Sequence, residues 1–325
     1  MRILVPDDYQ DAVRHLACFE RLRGHQATVL GHGLAETPDA VLAQVEALVL
    51  VRERSRVDAA LLRRMPRLKL VSQTGRISAH IDLDACTARG VAVAEGTGSP
   101  VAPAELTWAL VMAASRRLPA YVQALQAGRW QRTGDPGLGR VLRGLTLGIW
   151  SYGKIGRQVA GYGRAFGMDV RVWGSEASRA QARAEGFAAF ASREELFEAS
   201  DVLSLHRRLV DATRHDVGPA DLARMKPDAL LVNTSRAELV APGALLAALE
   251  AGRPGAAAID VFEHEPLLDV DDPLLRHPRV LATPHLGYVE AGSYELYFGT
   301  AFDNVLAFAE GRPQGIANPE VLVLS

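Results

Sequence analysis

The sequence predicts an α/β protein with two parallel sheets, each covered by helices on both faces. Short apolar strands alternate with segments of helical periodicity in two series, from residue 1 to about 99 and again from about 145 onward. The strands are continuous apolar runs, which is typical of strands buried on both faces of a parallel sheet. With 325 residues, the chain is long enough for two domains of ordinary size.

The first series contains five candidate strands. They are Ile3–Val5, Ala27–Leu30, Ala47–Val51, Leu68–Ser72 and Val91–Ala94. Helix-period stretches such as Asp58–Met65 lie between them. Gly96–Pro100 interrupts the alternation and is a candidate hinge. Pro103 is predicted to begin a long helix, because a proline in the first turn needs no N–H partner. This helix is predicted to run to Leu118. Arg129–Gly139, rich in Gly, Arg and Pro, is predicted to be a surface loop.

The second series contains six candidate strands and one weaker candidate. They are Leu145–Trp150, Val170–Trp173, Asp201–Leu205, Ala229–Asn233, Ala256–Asp260 and Val280–Ala282, with Phe187–Phe190 as the weaker one. Ser192 and Glu195 have the spacing of a capping box and begin one intervening helix. The last helix, about Ala291–Ala309, carries apolar residues that need a partner surface. We expect it to return to the first domain, which makes that domain discontinuous.

Bulk properties exclude several classes of protein. The formal net charge of −2 provides no basic face for nucleic acid. No segment approaches the roughly 20 apolar residues that span a bilayer, and the N-terminal run is too short for a signal peptide, so we expect a cytoplasmic protein. Cys18 and Cys86 lack metal or redox spacing and are expected to be reduced thiols. No metal site is predicted.

A glycine turn of the dinucleotide-binding type lies at Ser151–Gly156, between a predicted strand and a predicted helix. In such turns Gly153 lets the backbone approach the pyrophosphate, which binds the N–H groups at the helix N-terminus. Gly156 allows close packing of the helix on the strand. The usual first glycine is replaced by Ser151, which we expect to fit if its φ stays negative.

Two other interpretations compete for this turn. One is a plain connection between a strand and a helix. The other is a phosphate loop, Gly148-x4-Gly153-Lys154, but Ile155 stands where that motif needs Ser or Thr for Mg²⁺. An acid for the ribose 2′-OH is expected 18 residues after Gly156, where the chain has Gly174.

The choice between NAD and NADP therefore stays open, with NAD slightly favoured. Ser175 and Arg179 are candidates for contacting a 2′-phosphate, whereas Glu176 is a candidate for binding the ribose. The turn nevertheless predicts a Rossmann dinucleotide-binding domain at 100–290. We expect residues 1–99 and 291–325 to form a smaller, flavodoxin-like substrate domain.

Three charged or titratable residues each follow the end of a predicted strand. They are Arg236, Glu265 and His285. Because the carboxyl ends of strands line the ligand crevice in doubly wound sheets, we expect these side chains to meet there.

These motifs together resemble the D-isomer-specific 2-hydroxyacid dehydrogenase family. The residues that carry the resemblance are Leu147–Gly156, Met225–Arg236, Asp260–Pro266 and Thr283–Gly287, in family order and spacing across nearly the whole chain. The resemblance implies hydride transfer between NAD(P)H and a small 2-oxo acid or D-2-hydroxy acid. It also implies a homodimer with the helix from Pro103 near the interface.

The resemblance implies specific roles. Arg236 would bind the substrate carboxylate and polarise the 2-oxo group. His285 would donate a proton to the developing alkoxide, and Glu265 would favour the protonated form of His285. Asp260 would hold the nicotinamide carboxamide. The candidate cofactor-binding residues are Ser151, Tyr152, Gly153, Lys154, Ile155, Gly156, Gly174, Ser175, Arg179, His206, Thr234 and Asp260.

The sequence departs from the family in its substrate loop. The usual glycine-rich loop is Gly75–Asp82 here, and Arg76 and His80 alter it. Backbone N–H groups of Arg76 and Ile77 are still predicted to cradle the carboxylate, and Tyr288 is predicted to line the substrate pocket. Two interpretations stay open for Arg207 and Arg208, which follow His206. Their side chains either face solvent or contact the cofactor phosphate.

Two alternatives to this activity remain. Formate oxidation uses the same fold, but relatives of that kind pair the histidine with glutamine, and Glu265 argues against it. The second alternative is a non-enzymatic NAD(H)-binding sensor or corepressor-like module, because such relatives can keep all three catalytic residues.

Overall fold

The computed structural model describes residues 1–134 and 137–323. It divides the chain into two compact units, one formed by Met1–Ser99 with Val289–Ser325 and the other by Pro100–Tyr288. We call these unit 1 and unit 2. Residues 135 and 136 of the predicted surface loop, and the last two residues of the chain, lie outside the described residues.

Unit 1 contains a five-stranded parallel sheet. Its strands are β1 (Arg2–Val5), β2 (Gln26–Val29), β3 (Ala47–Leu50), β4 (Leu70–Gln73) and β5 (Ala92–Ala94), in the order β2-β1-β3-β4-β5. This is the flavodoxin-like strand order. Its helices are α1 (Asp39–Leu42), α2 (Ala59–Arg64), α3 (Leu83–Ala88) and the final helix α12 (Ala291–Ala309). Asp58 and Asp82 cap α2 and α3 with side-chain oxygens.

Helix α12 packs on this sheet. The Ser72 hydroxyl of β4 donates to the carbonyl of Ala301 at 2.9 Å. The buried face of the helix includes Phe298, Phe302 and Val305. Burial of these side chains against β4 stabilises an arrangement in which the chain's last helix belongs to the same unit as its first strand.

Unit 2 contains a seven-stranded parallel sheet. Its strands are β6 (Thr146–Trp150), β7 (Asp169–Trp173), β8 (Ala188–Ala189), β9 (Val202–Leu205), β10 (Leu230–Asn233), β11 (Ala256–Ile259) and β12 (Val280–Ala282). The order is β12-β11-β10-β9-β6-β7-β8, which is a Rossmann arrangement. The direction of winding changes between β6 and β9, and ligands bind at such points. The predicted α/β class is confirmed.

The helices of unit 2 cover both faces of the sheet. They are α4 (Val101–Ser115), α5 (Leu118–Gln126), α6 (Lys154–Ala165), α7 (Glu176–Ala184), α8 (Arg193–Ala199), α9 (Pro219–Arg224), α10 (Ala244–Glu250) and α11 (Pro273–Arg276). One core cluster joins α4 and α6 to the sheet, and another includes Phe190, Phe197 and Leu249. Gly163 of α6 allows a close approach, because a Cβ there would lie 2.4 Å from Leu147 of β6.

The predicted single helix from Pro103 to Leu118 is wrong at its C-terminal end. Helix α4 ends at Ser115, and Arg117 has a left-handed φ of 55°. Pro119 follows in the first turn of α5. A proline at this position would clash with the carbonyl four residues earlier in a continuous helix, so the chain turns and begins a second helix.

Candidate active site

The glycine turn joins β6 to α6 as predicted, but Ser151 adopts a positive φ of 83°. Serine was predicted to fit this turn on the condition of a negative φ, and that condition is not met. The Ser151 amide donates to the carbonyl of Trp173 at 2.8 Å, which fixes the turn to the end of β7. A Cβ on Gly156 would lie 2.3 Å from the Ser151 carbonyl oxygen, so position 156 accepts only glycine without a shift. The tight turn thus depends on a strained backbone at Ser151 and on the close approach that Gly156 permits.

The N-terminus of α6 has the form that a pyrophosphate needs. Gly153 is its N-cap, and no side chain caps the first-turn amides. A Cβ on Gly153 would meet no described protein atom within 4 Å, so the glycine leaves an open approach to these amides. Lys154 is exposed, whereas Ile155 packs against the core. The residues present therefore fit a dinucleotide.

Tyr152 points into the protein rather than away from it. Its ring is buried, and its hydroxyl donates to Glu185 at 2.7 Å. Burial, together with this hydrogen bond and the Glu185 charge, raises the pKa of Tyr152 to about 12. Only its backbone remains a candidate for cofactor binding.

The end of β7 is where the ribose of the adenosine is expected. A Cβ on Gly174 would lie 3.3 Å from the Cβ of Ser178, so this position has little room for an acidic side chain. The Ser175 hydroxyl caps α7 by accepting from the Ser178 amide at 3.2 Å. Helix α7 therefore limits both positions: it leaves little space for a side chain at position 174, and it already uses the Ser175 hydroxyl as its cap.

Arg179 lies over the Trp173 ring at the carboxyl end of β7. Its guanidinium is 4.6 Å from the centre of the Trp173 ring, and its Nη2 donates to Glu176 at 2.7 Å. Arg183 also pairs with Glu176, at 3.2 Å. The Nε atom of Arg179 is buried without a hydrogen-bond partner in the described part of the chain. Glu176 is thus held by two arginines at the predicted ribose edge.

His206 follows β9, opposite the glycine turn. Its Nε2 lies 2.9 Å from the Ser204 hydroxyl, and a Cβ on Gly156 would approach its ring at 3.5 Å. Burial lowers the pKa of His206 to about 4, so the ring is neutral near pH 7. Arg207 forms an ion pair with Asp216 and lies over the Trp150 ring, so its side chain is committed within unit 2.

The remaining two candidates near the cofactor differ in their surroundings. Arg208 is exposed to solvent. The Thr234 hydroxyl lies 2.7 Å from the hydroxyl of Thr107 on α4, a contact that spacing along the chain did not reveal.

His285 and Glu265 meet directly. The distance from His285 Nδ1 to Glu265 Oε2 is 2.6 Å, and the other Glu265 oxygen accepts from the Phe262 amide at 2.9 Å. Burial raises the pKa of Glu265, but the His285 hydrogen bond and charge, the Phe262 amide and the Arg236 charge outweigh it. The net result is a pKa below the ordinary 4.5. An ionised Glu265 keeps the proton on Nδ1 and leaves Nε2 for a ligand.

Arg236 follows β10 and acts electrostatically on the same carboxylate. Its Nη1 donates to the Ser235 carbonyl at 2.7 Å, and its own carbonyl accepts from the Asn233 side chain at 2.8 Å. These contacts fix the backbone of the strand end. The three predicted catalytic residues therefore belong to one charged cluster at the carboxyl edge of the unit 2 sheet.

Asp260 ties the histidine loop to β11. One of its carboxylate oxygens accepts from the Thr283 hydroxyl at 2.6 Å and from the Leu286 amide at 2.7 Å. The other accepts from the Gly287 amide at 2.8 Å. Burial raises the pKa of Asp260, although these hydrogen bonds oppose the rise. Its main visible task is to hold the loop.

The loop needs this support because His285 has a positive φ of 53°. The Tyr288 ring packs edge-on against the His285 ring, with centroids 5.6 Å apart. Loop geometry and ring packing thus fix the orientation of the imidazole.

The predicted substrate loop lies in unit 1, after β4. The Ile77 amide donates to Oε1 of Glu95 at 2.9 Å, so one of the two predicted carboxylate donors already has a partner within the protein. Arg76 is exposed. Sequence reasoning missed Glu95, although it follows β5 by the same strand-end rule that singled out Arg236 and His285.

The described residues contain neither a metal-binding cluster nor a membrane-spanning helix. No group of three His, Cys, Asp or Glu side chains there is arranged to hold a metal ion. No helix in the described ranges is long and apolar enough to cross a membrane. Cys18 and Cys86 are both free thiols, and both are buried.

Comparison with known proteins identifies close relatives. The profile of the D-isomer specific 2-hydroxyacid dehydrogenase family, NAD binding domain, matches residues 108–287. A glyoxylate reductase from Aeropyrum pernix is 40% identical over 274 residues, which cover 82% of this chain and 81% of the relative. A glyoxylate/hydroxypyruvate reductase B from Shigella boydii is 32% identical and covers 98% of this chain and 96% of its own.

A solved structure is more similar still. An oxidoreductase from Ralstonia solanacearum, which carries the provisional name D-3-phosphoglycerate dehydrogenase, is 57% identical with a TM-score of 0.96. The match covers 99% of this chain and 98% of that one.

Proposed function

The chain belongs to the D-isomer-specific 2-hydroxyacid dehydrogenase family, and on that basis we propose that it reduces a small 2-oxo acid to the D-2-hydroxy acid. Membership makes it an oxidoreductase with an NAD-binding Rossmann domain. The observation that carries the proposal is the 2.6 Å contact between His285 and Glu265, beside the charge of Arg236.

Each of these residues has a role that its chemistry supports. Arg236 binds the carboxylate of the 2-oxo acid and polarises the carbonyl through its planar fork of donors. His285, protonated, gives the proton on Nε2 to the oxygen that becomes the hydroxyl. Glu265 stabilises the protonated ring through Nδ1. In the oxidative direction His285 takes the proton back.

Unit 2 would hold the cofactor. The uncapped first-turn amides of α6 would bind the pyrophosphate, and Gly153 leaves room for its approach. When bound, the reduced nicotinamide would supply the hydride for the carbonyl carbon. Asp260 keeps the His285 loop in place while one remaining lone pair can accept from the carboxamide.

For the cofactor we propose a preference for NAD(H). Glu176, fixed by Arg179 and Arg183, can accept hydrogen bonds from the ribose hydroxyls. The same carboxylate repels a 2′-phosphate. The Arg179 guanidinium lies over the Trp173 ring and forms an ion pair with Glu176. This ion pair already balances its positive charge.

We also propose that the protein is a homodimer that associates through the region after α4. Large apolar side chains are exposed there, and in described residues they are Leu118, Val122, Leu125, Trp130, Leu138 and Val141. Apolar exposure concentrated in one segment is typical of an interaction surface. The molar mass in solution, measured by light scattering, tests this, and a monomeric mass would contradict it.

A spectrophotometric assay tests the activity. NADH and NADPH oxidation are followed with glyoxylate, pyruvate, hydroxypyruvate and 4-methyl-2-oxopentanoate, with His285→Ala as the control. We expect turnover with at least one acid and its loss in the variant. Tight cofactor binding with no turnover on any acid would instead support a cofactor sensor.

A further inference from the structure

Two threonine hydroxyls meet at the carboxyl edge of the unit 2 sheet. Thr107, on α4, is fully buried, and its hydroxyl donates to the Pro103 carbonyl at 2.7 Å. Its oxygen also lies 2.7 Å from the hydroxyl oxygen of Thr234, which follows β10. A threonine hydroxyl has one proton, and a carbonyl oxygen can only accept. The proton of Thr107 is therefore used on Pro103, and the hydrogen bond between the two threonines must be donated by Thr234.

This direction gives Thr234 a defined polarity. Because its single proton points to Thr107, its oxygen can only accept from a ligand. A threonine hydroxyl without such a neighbour can rotate and act either as a donor or as an acceptor. Thr234 is half-buried, whereas Thr107 is inaccessible, so a ligand at this edge meets Thr234. Thr107 thus leaves Thr234 with one of the two roles.

Asp260 supplies a second acceptor at the same edge. Asn233 of β10 is paired in register with Ile259 of β11. The residues that follow, Thr234 and Asp260, therefore leave neighbouring parallel strands side by side. The Asp260 carboxylate accepts three hydrogen bonds from the segment after β12 and keeps lone pairs for a ligand. Two acceptors consequently stand next to each other.

The neighbouring side chains on β10 donate within the protein. The Ser235 hydroxyl donates to the Leu205 carbonyl at 2.9 Å, and the Ser235 amide donates to the Asn233 side chain at 3.1 Å. The Asn233 side chain donates in turn to the Arg236 carbonyl at 2.8 Å. These hydrogen bonds turn donors away from Thr234, so the pair formed with Asp260 keeps its acceptor character.

This acceptor pair lies beside the segment that carries the proton donor. A Cβ on Gly287 would lie 3.6 Å from the Cβ of Pro103 and 3.4 Å from Oδ2 of Asp260, so the first turn of α4 packs against that segment. His285 is two residues before Gly287. Hydride and proton go to the two atoms of one carbonyl group, so the nicotinamide must bind close to His285.

We propose that Thr107 is a positioning residue that holds Thr234 as an acceptor for the amide group of the nicotinamide. The inference rests on the proposed function. The amide NH2 has two N–H donors, and Thr234 and Asp260 accept one each. Two acceptors without a donor select an amide nitrogen over a methyl group, which cannot donate, and over a carboxylate, which Asp260 repels. Fixing the amide also fixes which face of the ring meets the substrate.

Three substitutions separate this role from a packing role. Thr107→Val keeps the shape of the side chain but removes the acceptor of the Thr234 proton, which is then free to point at the amide donors. Thr107→Ser keeps the hydroxyl and should preserve the polarity of Thr234. Thr300→Val is the matched control, because the Thr300 hydroxyl also donates to the carbonyl four residues earlier, at 2.9 Å, but lies on α12 of unit 1.

The measurement is a ratio of two dissociation constants obtained by isothermal titration calorimetry. NAD⁺ is compared with its acetylpyridine analogue, in which a methyl group replaces the amide NH2 and the carbonyl remains. We expect the wild type, Thr107→Ser and Thr300→Val to bind NAD⁺ at least about tenfold more tightly than the analogue. In Thr107→Val this preference should fall below about threefold, because only NAD⁺ loses a hydrogen bond. Thermal unfolding without cofactor checks that every variant is folded.

An unchanged preference in Thr107→Val, even with both dinucleotides bound more weakly, would overturn the assignment, because a packing role weakens both equally. If Thr107→Val is unstable, Thr234→Val removes the acceptor itself, and an unchanged preference there would equally reject the proposal. Failure of the proposed function has a different signature. A wild type that keeps the preference for NAD⁺ but reduces no 2-oxo acid would overturn the proposed activity and support the role of Thr107.

Discussion

The imidazole of His285 is held between a carboxylate and a strained backbone. Its Nδ1 lies 2.6 Å from Oε2 of Glu265, while its own φ is +53°. A non-glycine residue in this region is destabilised unless its surroundings fix it, and Glu265 and the Asp260 contacts supply that restraint. The orientation of Nε2 is therefore set before any ligand binds.

Glu265→Gln should lower kcat by roughly a hundredfold, because a neutral amide no longer stabilises the protonated ring. The variant should also lack the acid-side loss of rate that the wild type shows when Glu265 becomes protonated. Because the pKa of Glu265 lies below 4.5, the wild-type pair keeps its charge on the carboxylate down to that range. Steady-state rates across pH measure both effects. Glu263→Gln, in the same loop, is the control, and an equal loss there would point to loop damage instead.

Alanine at the two turn glycines should have different consequences. Gly156→Ala should destabilise the folded protein, since its Cβ would lie 2.3 Å from the Ser151 carbonyl oxygen. Gly153→Ala should leave the unfolding temperature unchanged but weaken cofactor binding by at least about tenfold, because its Cβ lies where the pyrophosphate approaches. Thermal unfolding and cofactor titration separate the two effects. Identical behaviour of the two variants would contradict this division of roles.

Ser151→Gly should stabilise the protein. The serine holds a φ of 83°, and a left-handed conformation costs a non-glycine residue about 1 kcal/mol. We expect a higher unfolding temperature with cofactor affinity retained. A lower unfolding temperature would mean that the serine hydroxyl contributes more than the backbone strain costs.

Glu176→Gln should shift cofactor preference toward NADPH. Loss of the carboxylate frees Arg179 for a 2′-phosphate, so the dissociation constant of NADPH should fall by about tenfold while that of NADH changes little. Asp169→Asn, at the other end of β7, is the charge-matched control. Fluorescence titration measures the constants. If Arg179 already serves the phosphate in the wild type, Glu176→Gln will have no effect and Arg179→Ala will weaken NADPH selectively.

His206 should make stability depend on acidity. Its pKa in the folded protein is about 4, below the ordinary 6.5, so the unfolded chain binds more protons between these values. Its contribution is complete above pH 6.5 and declines as the pH falls toward 4. His206→Gln should therefore lose less stability over this window than the wild type. Unfolding temperatures at pH 7 and pH 5 give the comparison, and parallel declines would contradict it.

Regular structure was predictable from the sequence because buried parallel strands leave long apolar runs. Strand β12 and helix α12 have the predicted bounds, and the remaining strand bounds differ by at most two residues at either end. The break after α4 was missed because Leu118 and Pro119 read equally well as the end of one helix or the beginning of the next. Arg117 adopts a left-handed φ that no residue type signals there.

The sequence was sufficient to predict which residues carry the chemistry of the site. It was less informative about their hydrogen-bond partners. Strand-end position identified Arg236, Glu265 and His285. The partners of Asp260 and the contact between Glu95 and Ile77 join segments distant in sequence, so no local spacing encodes them. The φ of Ser151 was misjudged because the turn is imposed by Trp173 and Gly156, not by serine's own preference.

The hydrogen bonds of Asp260 limit how segments of this protein can be exchanged with those of its relatives. One side chain at the end of β11 accepts from three donors in the segment after β12, so these two neighbouring strands are coupled in function. A chimera that exchanges the Thr283–Gly287 segment between relatives without its matching Asp260 would separate the proton donor from its anchor. Recombination breakpoints are therefore better chosen before β11 than between β11 and β12.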